Sequence, residues 1–318
     1  MRKPLTHLVL LIVALLAGDS LAQSGGELRF CLRSEPKTLN PLLMSDDSSE
    51  TIRYLTGGVL LRVNRLTQDL EPELATAWKL TNAGKTITFK LRENLRFSDG
   101  TTFSADDVAY TIQQLMDPAL HSPTGDAFRS GEGKVQTQAL ANNRIAITFS
   151  APIAGLDKLF DQVAIISAKS PQKEMAVLGP YYVAENKAGA YLILKRNPNY
   201  WKRDSTGRPL PYIDSIRLDI QQNRDIEMLR LVRGEIDFIN SLDAEYFDKV
   251  MPKIPRWRTM PVPPSMRSSC GSIKSPVLPC PRTRRPGSLP PISAVPFRKP
   301  SIATTWLASP SADALALL

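Results

Sequence analysis

Alternating apolar and polar residues predict a strand over residues 86–91. Ile87, Phe89 and Leu91 fall on one side of it, and threonine or lysine falls on the other, which is the period-2 pattern of a half-buried strand. The segment Ser98-Asp99-Gly100 follows and predicts a turn, because glycine adopts the positive φ that many tight turns need.

A helix is predicted to begin just after this turn. Ser104 is the expected N-cap, and Asp107 completes a capping box three residues later. Phe103 and Val108 stand where a hydrophobic staple would place them. The apolar face of the helix continues through Val108, Ile112 and Leu115.

The first part of the chain predicts a strand, a loop and a helix. Residues 27–33 form the expected strand and residues 34–41 the loop that leaves it. The polar run 45–50 then leads into a helix through Ile52 and Leu55. Helix capping explains this Asp/Ser run, because such side chains accept hydrogen bonds from the first turn.

Later segments predict more strands and one more helix. Residues 135–149 indicate a turn flanked by strands, and Asn223 is expected to cap a helix that Gly234 ends. Residues 235–239 predict another short strand, and a strand–helix–strand unit of this spacing implies parallel pairing. The strand before that helix has alternating Ile216, Leu218 and Ile220.

The order of these parts resembles the dipeptide- and oligopeptide-binding family of extracytoplasmic solute-binding proteins of ABC importers (family 5). The resemblance covers residues 28–240. It rests on Pro72-Glu73-Leu74-Ala75 with Trp78, on residues 84–92, 97–100 and 103–108, and on residues 179–183, 191–201 and 207–214.

The resemblance implies an α/β, periplasmic-binding-protein-like fold of two lobes, with a discontinuous first lobe and an inserted small α+β domain. It implies that the closing lobe starts near residue 265, where the sequence loses its pattern. The expected division is a signal peptide at 1–22, the first lobe at 23–65 and 179–264, the inserted domain at 66–178, and a Pro/Arg-rich tail at 265–318.

The first 22 residues predict a secretory signal peptide and therefore a periplasmic protein. Arg2 and Lys3 precede an apolar run at 8–17, and Ser20-Leu21-Ala22 is a small-x-small cleavage site. Ten apolar residues span only about 15 Å as helix, about half of a bilayer core, which argues against a membrane anchor.

The formal net charge of +9 is concentrated at the end of the chain. From Ile254 onward the sequence has nine basic residues and only one acidic residue, Asp313. This segment also contains 13 of the 26 prolines. A segment of this composition does not favour regular helix or sheet, which predicts a disordered basic tail.

A sharper hypothesis is that this tail is translated out of frame. Shifting plausible codons for residues 269–274 by one base gives Leu-Trp-Phe-Asn-Gln, and the same shift over 285–305 gives a second family-like string. These strings resemble the hinge strand and the following helix of the family. The encoded protein would then be longer than this chain.

The candidate ligand-binding residues are in the loop after the first strand and at the start of the first helix: Ser34, Glu35, Ser45, Asp46 and Asp47. Loops at the carboxyl ends of strands carry binding groups in α/β sheets, although a cap or a solvated loop explains each residue as well. The resemblance implies a peptide ligand, inner-membrane ABC permease subunits as partners and a monomer. Nickel or an oligosaccharide are alternative ligands.

Other classes of function have less support. The sequence after the signal segment has one histidine, His121, so a histidine-based triad or multi-histidine metal site is not expected. Asp99 and Asp106 could be read as an acid pair, but turn and cap roles explain them. We therefore predict no catalytic residue, metal, cofactor or nucleic-acid partner; the alternative is a basic-tailed binder of anionic surfaces.

The frame hypothesis predicts a missing or extra base near codons 255–275. Resequencing the coding DNA across that region tests it directly. An unchanged reading frame with no such base would contradict the hypothesis.

Overall fold

The computed structural model describes residues 25–65, 67–129, 134–170 and 175–240. The predicted signal peptide, the basic tail, Cys270 and Cys280 lie outside the described residues. The described strands are β1 (Glu27–Leu32), β2 (Leu61–Val63), β3 (Leu70–Pro72), β4 (Ala75–Thr81), β5 (Thr86–Leu91), β6 (Val135–Leu140), β7 (Arg144–Phe149), β8 (Tyr181–Lys187), β9 (Tyr191–Arg196) and β10 (Ser215–Ile220). The described α-helices are α1 (Asp47–Thr56), α2 (Ala105–Met116), α3 (Pro123–Phe128), α4 (Leu156–Leu159) and α5 (Arg224–Val232), with 3-10 turns at Asn82–Gly84 and Pro118–Leu120.

The first sheet has the strand order β1-β10-β9-β8. β1 and β10 pair in parallel, from Glu27 opposite Ser215 to Leu32 opposite Ile220, and the other pairs are antiparallel. Its inner face is apolar, as the alternation of residues 216, 218 and 220 predicts, and α1 contributes to the same core.

The opposite face of β1 packs against α5. Cys31 lies there in a small cluster with Met228 and Leu231, and Ile236 completes it. Cys31 is a buried small side chain, since it is 4% exposed and forms no disulfide. Burial raises the pKa of its thiol to about 11.

The second sheet is antiparallel and has the order β4-β5-β7-β6. Ile87, Phe89 and Leu91 are buried on one face, as their alternation predicts. Helix α2 packs over β6 and β7 and presents Val108, Ile112 and Leu115 to the same core. The predicted capping box is present: the Ser104 N–H donates to Asp107 Oδ2 at 2.7 Å.

Two asparagines fix the chain where it passes between the two sheets. Asn197 Nδ2 donates to the Gly179 carbonyl and Asn199 Nδ2 donates to the Phe97 carbonyl, each at 2.9 Å. The chain is tight here, because a Cβ on Gly179 would lie 2.2 Å from the Thr56 carbonyl oxygen. Glycine is therefore required at position 179. The domain boundaries given by the sequence stay predictions.

The predicted strand over residues 235–239 is wrong. This segment has no ladder with β1: the Asp237 N–H donates to the Arg29 carbonyl at 2.8 Å, but the Arg29 N–H donates to Asp237 Oδ2 at 2.7 Å. The Asp237 carboxylate thus accepts the hydrogen bond from the Arg29 N–H that a backbone carbonyl would accept in a strand pair. The parallel pairing expected here does not form.

Among the described helices, none has both the length and the apolar character that crossing a bilayer requires.

Asp107 is expected to be a strong local determinant of stability. Its side chain is fully buried and accepts from two backbone N–H groups, those of Ser104 and Ala168. Asp107→Ala leaves both donors without their partner and is expected to lower the free energy of unfolding by about 3 kcal/mol. Urea denaturation measures the change.

Asp106→Ala is the matched control, since Asp106 is exposed in the same helical turn. Only a favourable interaction with the helix dipole is lost there, so a change below about 1 kcal/mol is expected. Equal effects of the two substitutions would contradict the role given to Asp107.

Candidate ligand-binding edge

The loops that leave the first sheet at one end converge there, and we call this end the carboxyl edge. Three strands end at this edge: β1 at Leu32, β8 at Lys187 and β10 at Ile220. The antiparallel strand β9 begins there at Tyr191. Two backbone bonds hold its loops: the Gln221 N–H donates to the Leu32 carbonyl at 2.8 Å, and the Ile220 N–H donates to the Ala190 carbonyl at 2.9 Å.

The loop after β1 is fastened on two sides. The hydroxyl oxygens of Ser34 and Ser48 lie 3.1 Å apart, which ties the loop to the first turn of α1. On the other side, Glu35 Oε1 accepts the Gly189 N–H at 3.0 Å, which ties the loop to the β8–β9 turn. Both candidate side chains are exposed apart from these contacts.

Asp46 is the N-cap of α1. Its Oδ1 accepts the Ser49 N–H at 3.0 Å, and its Oδ2 accepts the Ser49 hydroxyl at 2.7 Å and the Lys37 N–H at 3.4 Å. Partial burial alone would raise the pKa of Asp46, but these hydrogen bonds outweigh it and hold the pKa below its usual value. The capping interpretation of this residue is confirmed, and Asp46 positions the loop.

Ser45 and Asp47 flank this cap with exposed side chains. The structure therefore brings all five candidates to one edge of one sheet, with Ser34 and Asp46 joined through α1 and Glu35 joined to the hairpin. Contact with a ligand stays a prediction for each of them.

A second polar cluster lies near the same edge, on the face of the first sheet opposite its apolar inner face. The Tyr191 hydroxyl donates to Glu185 Oε1 at 2.7 Å, and the Arg217 guanidinium stacks 4.1 Å from the centre of the Tyr191 ring. Arg217 Nε also donates to Asp219 Oδ1 at 2.9 Å. The hydrogen bond to Glu185 raises the pKa of Tyr191.

The sequence pattern does not identify this cluster. The alternation in β9 and β10 separates these polar residues from the buried ones, but only strand register shows that they meet.

The residues considered for other chemistry have structural roles. Asp99 Oδ1 accepts the N–H of Thr101 at 2.9 Å within the predicted turn, and Gly100 has a φ of 87°. Partial burial would raise the pKa of Asp99, but hydrogen bonds from Ser170 and Thr101 lower it.

Two tryptophans have packing roles in the described part of the chain. Trp78 and Trp201 are half-buried against the core of the second sheet, and the Arg92 guanidinium lies 4.3 Å from the centre of the Trp201 ring. The described residues also contain no group of three side chains suited to hold a metal ion.

Solved structures share this fold. One of them is the periplasmic binding protein DppA of Helicobacter pylori in complex with the peptide STSA, with a TM-score of 0.61 at 23% identity, over 74% of this chain and 50% of that one. The expected class, an α/β fold of the periplasmic-binding type with a discontinuous first lobe, is confirmed. The sheets described above form part of that fold.

Comparison of the sequence with known protein families identifies the family of this chain. The group described as bacterial extracellular solute-binding proteins, family 5 (Middle), matches residues 69–261, which is more than half of the chain. The chain belongs to this family.

Two curated relatives agree with this membership. A probable ABC transporter-binding protein of Deinococcus radiodurans is 27% identical over 241 residues, 68% of this chain and 40% of the relative. The dipeptide-binding protein DppE of Bacillus subtilis is 25% identical over 234 residues, 64% of this chain and 41% of the relative. The chain thus spans less than half the length of these relatives.

The cap at Asp46 predicts a pH-dependent contribution to stability. A carboxyl whose pKa is lowered by folding stabilises the native state above its unfolded value, near 3.8, and loses that contribution as the pH falls through the folded value. Asp46→Asn keeps a capping side chain without this titration. We expect the wild type to exceed Asp46→Asn in free energy of unfolding at pH 6, with the difference shrinking below about pH 4.

Urea denaturation at pH 6, 4 and 3 measures this difference. Asp47→Asn serves as the control, because it removes one exposed carboxylate from the same helix end. A difference between wild type and Asp46→Asn that is constant with pH would contradict the role given to the hydrogen bonds.

Proposed function

We propose that this chain belongs to the periplasmic substrate-binding component of an ABC-type peptide importer, which captures di- or oligopeptides for inner-membrane permease subunits. Family membership supports the general class. The observation that carries the proposal at the level of residues is the carboxyl edge, where the loop after β1, the start of α1 and the β8–β9 turn are fixed together.

In this proposal the carboxyl edge forms one wall of a ligand cleft. Ser34, Ser45 and Asp47 offer exposed oxygen atoms there, and Glu35 has a second carboxylate oxygen beside the one held by Gly189. A peptide presents N–H groups and an ammonium group, both of which bind carboxylate and hydroxyl oxygens well. The second wall would come from a closing lobe.

The mechanism is binding without chemical conversion. Two lobes close over an extended peptide, and the closed state is favoured only as far as the ligand makes contacts that the open state lacks. We therefore propose a monomeric binding protein with no enzymatic activity, no cofactor and no nucleic-acid partner. Preorganised loops on one lobe reduce the entropy that is lost when the cleft closes.

The first experiment compares this chain with a version whose reading frame is restored after about residue 265. With di- to pentapeptides at saturating concentration, a thermal shift is expected for the restored version and none for this chain, because ligand binding to the native state raises the melting temperature. A clear shift in the chain as given would contradict the need for the closing lobe. The absence of any shift in the restored version would contradict the proposed function.

The second experiment tests Glu35 in the frame-restored version. Isothermal titration measures the affinity for a peptide that this version binds in the first experiment. Glu35→Ala loses both the charge and the acceptor for Gly189, so about tenfold weaker binding is expected, whereas Glu35→Gln keeps an acceptor and separates the two effects. Glu27→Ala, an exposed glutamate at the opposite end of β1, is the control and should bind as the wild type does. Equal affinities for Glu35→Ala and Glu27→Ala would exclude Glu35 from the site.

A further inference from the structure

The outer face of the second sheet has an unusual charge distribution. Register places twelve residues on this face, away from the buried core: Ala77, Lys79 and Thr81 of β4, Thr86, Thr88 and Lys90 of β5, Arg144, Ala146 and Thr148 of β7, and Gln136, Gln138 and Leu140 of β6. We call these residues the outer sheet face. It has three basic residues and no acidic one, and each of its residues is exposed or half-exposed.

The three basic side chains form one group. Lys90 and Arg144 are direct cross-strand partners, and Lys79 stands opposite Thr88, one diagonal step from Lys90. Cross-strand neighbours of this kind are about 5 Å apart and diagonal ones about 7–8 Å apart. The positive charges therefore lie within one small area of the outer sheet face.

This arrangement is unfavourable in the isolated protein. Like charges directly opposite each other in a sheet destabilise the strand pair. In the part of the chain that the structure describes, none of the three side chains has an ion pair; Arg144 Nε donates only to the Ala141 carbonyl at 3.1 Å. By contrast, basic residues elsewhere, such as Arg29, Lys202 and Arg230, each pair with a carboxylate.

The shape of the face fits a planar partner. Four strands spaced about 4.8 Å apart, with about six residues each, give an area about 15 Å by 20 Å. The other side chains of the face are threonine hydroxyls, glutamine amides, alanine methyl groups and Leu140, so its surface is mainly polar. A surface of regularly spaced anions complements it better than a single buried ligand would.

We propose that the outer sheet face docks on the anionic phospholipid surface of the membrane. The inference relies on an extracytoplasmic location, which the family membership supports, and not on the peptide ligand. Lys79, Lys90 and Arg144 would interact with headgroup phosphates, and the Thr88 hydroxyl would donate a hydrogen bond to them. The hydroxyl oxygens of Thr86 and Thr148 lie 3.1 Å apart, so one donates to the other and only the remaining O–H is left for a phosphate. Docking would hold the binding protein near membrane-embedded partners and relieve the repulsion between Lys90 and Arg144.

The test is co-sedimentation of the full chain, without peptide, with vesicles of phosphatidylglycerol and phosphatidylcholine in low salt. Every variant keeps the basic tail, so the tail contributes equally to each and the comparison between variants reports on the outer sheet face. The variant Lys79→Gln/Lys90→Gln/Arg144→Gln is compared with the control Lys158→Gln/Lys169→Gln/Lys195→Gln, which removes three exposed lysines from other surfaces. One basic residue near an anionic bilayer strengthens binding about fivefold, so a loss of about 100-fold is expected for the first variant only. Vesicles of phosphatidylcholine alone should bind neither variant.

Equal losses in the two variants would show that net charge, and not this face, governs binding, and no loss in the first variant would exclude the face; either result overturns the proposal. Displacement by inorganic phosphate beyond that by sodium chloride of equal ionic strength would indicate a discrete anion pocket and would also overturn it.

Thermal melting checks folding: removing the like-charge pair should leave the melting temperature unchanged or higher. Because no peptide is present, the result is independent of the proposed ligand.

Discussion

The parallel pairing of β1 with β10 is the constraint on which the rest of the structure depends. It joins segments whose residues are almost 190 positions apart, as the Gly26–Asp214 contact shows. Because both strands run in the same direction, the loops that follow them emerge at the same end of the sheet. The loops after β1 and β10 share one edge for this reason, and the candidate ligand-binding residues lie in the first of these loops and at the start of α1.

The second sheet can form between these two strands because its connections are local. β4 to β7 are all contained in residues 75–149, and each pairs antiparallel with a neighbour. The chain passes between the sheets through both polar and apolar contacts. The side chains of Asn197 and Asn199 donate to backbone carbonyls there, and Trp201 packs against the core of the second sheet. Buried amides that satisfy backbone carbonyls fix such a crossing in one geometry, since any displacement would leave carbonyls without donors.

The two surfaces singled out here place different demands on the chain. The carboxyl edge is held by short-range hydrogen bonds, and its acid Asp46 is stabilised as a carboxylate by the first turn of α1. The outer sheet face instead leaves its three cations without carboxylate partners in the described residues. The first arrangement preorganises a loop, and the second retains charge for an external partner.

The sequence by itself determined the features whose partners lie within a few residues. The capping box of Ser104 and Asp107, the cap at Asn223 and the turn at Gly100 were predicted because local hydrogen bonds and φ preferences act along the chain. The alternation of Ile87, Phe89 and Leu91 identified a buried strand face in the same way. Only the tertiary structure decided which strands pair, and so it joined Glu35 to Gly189, 154 residues away, and Lys90 to Arg144. It also decided that residues 235–239 form no strand, because the Asp237 carboxylate competes with the ladder through a contact that no local pattern encodes.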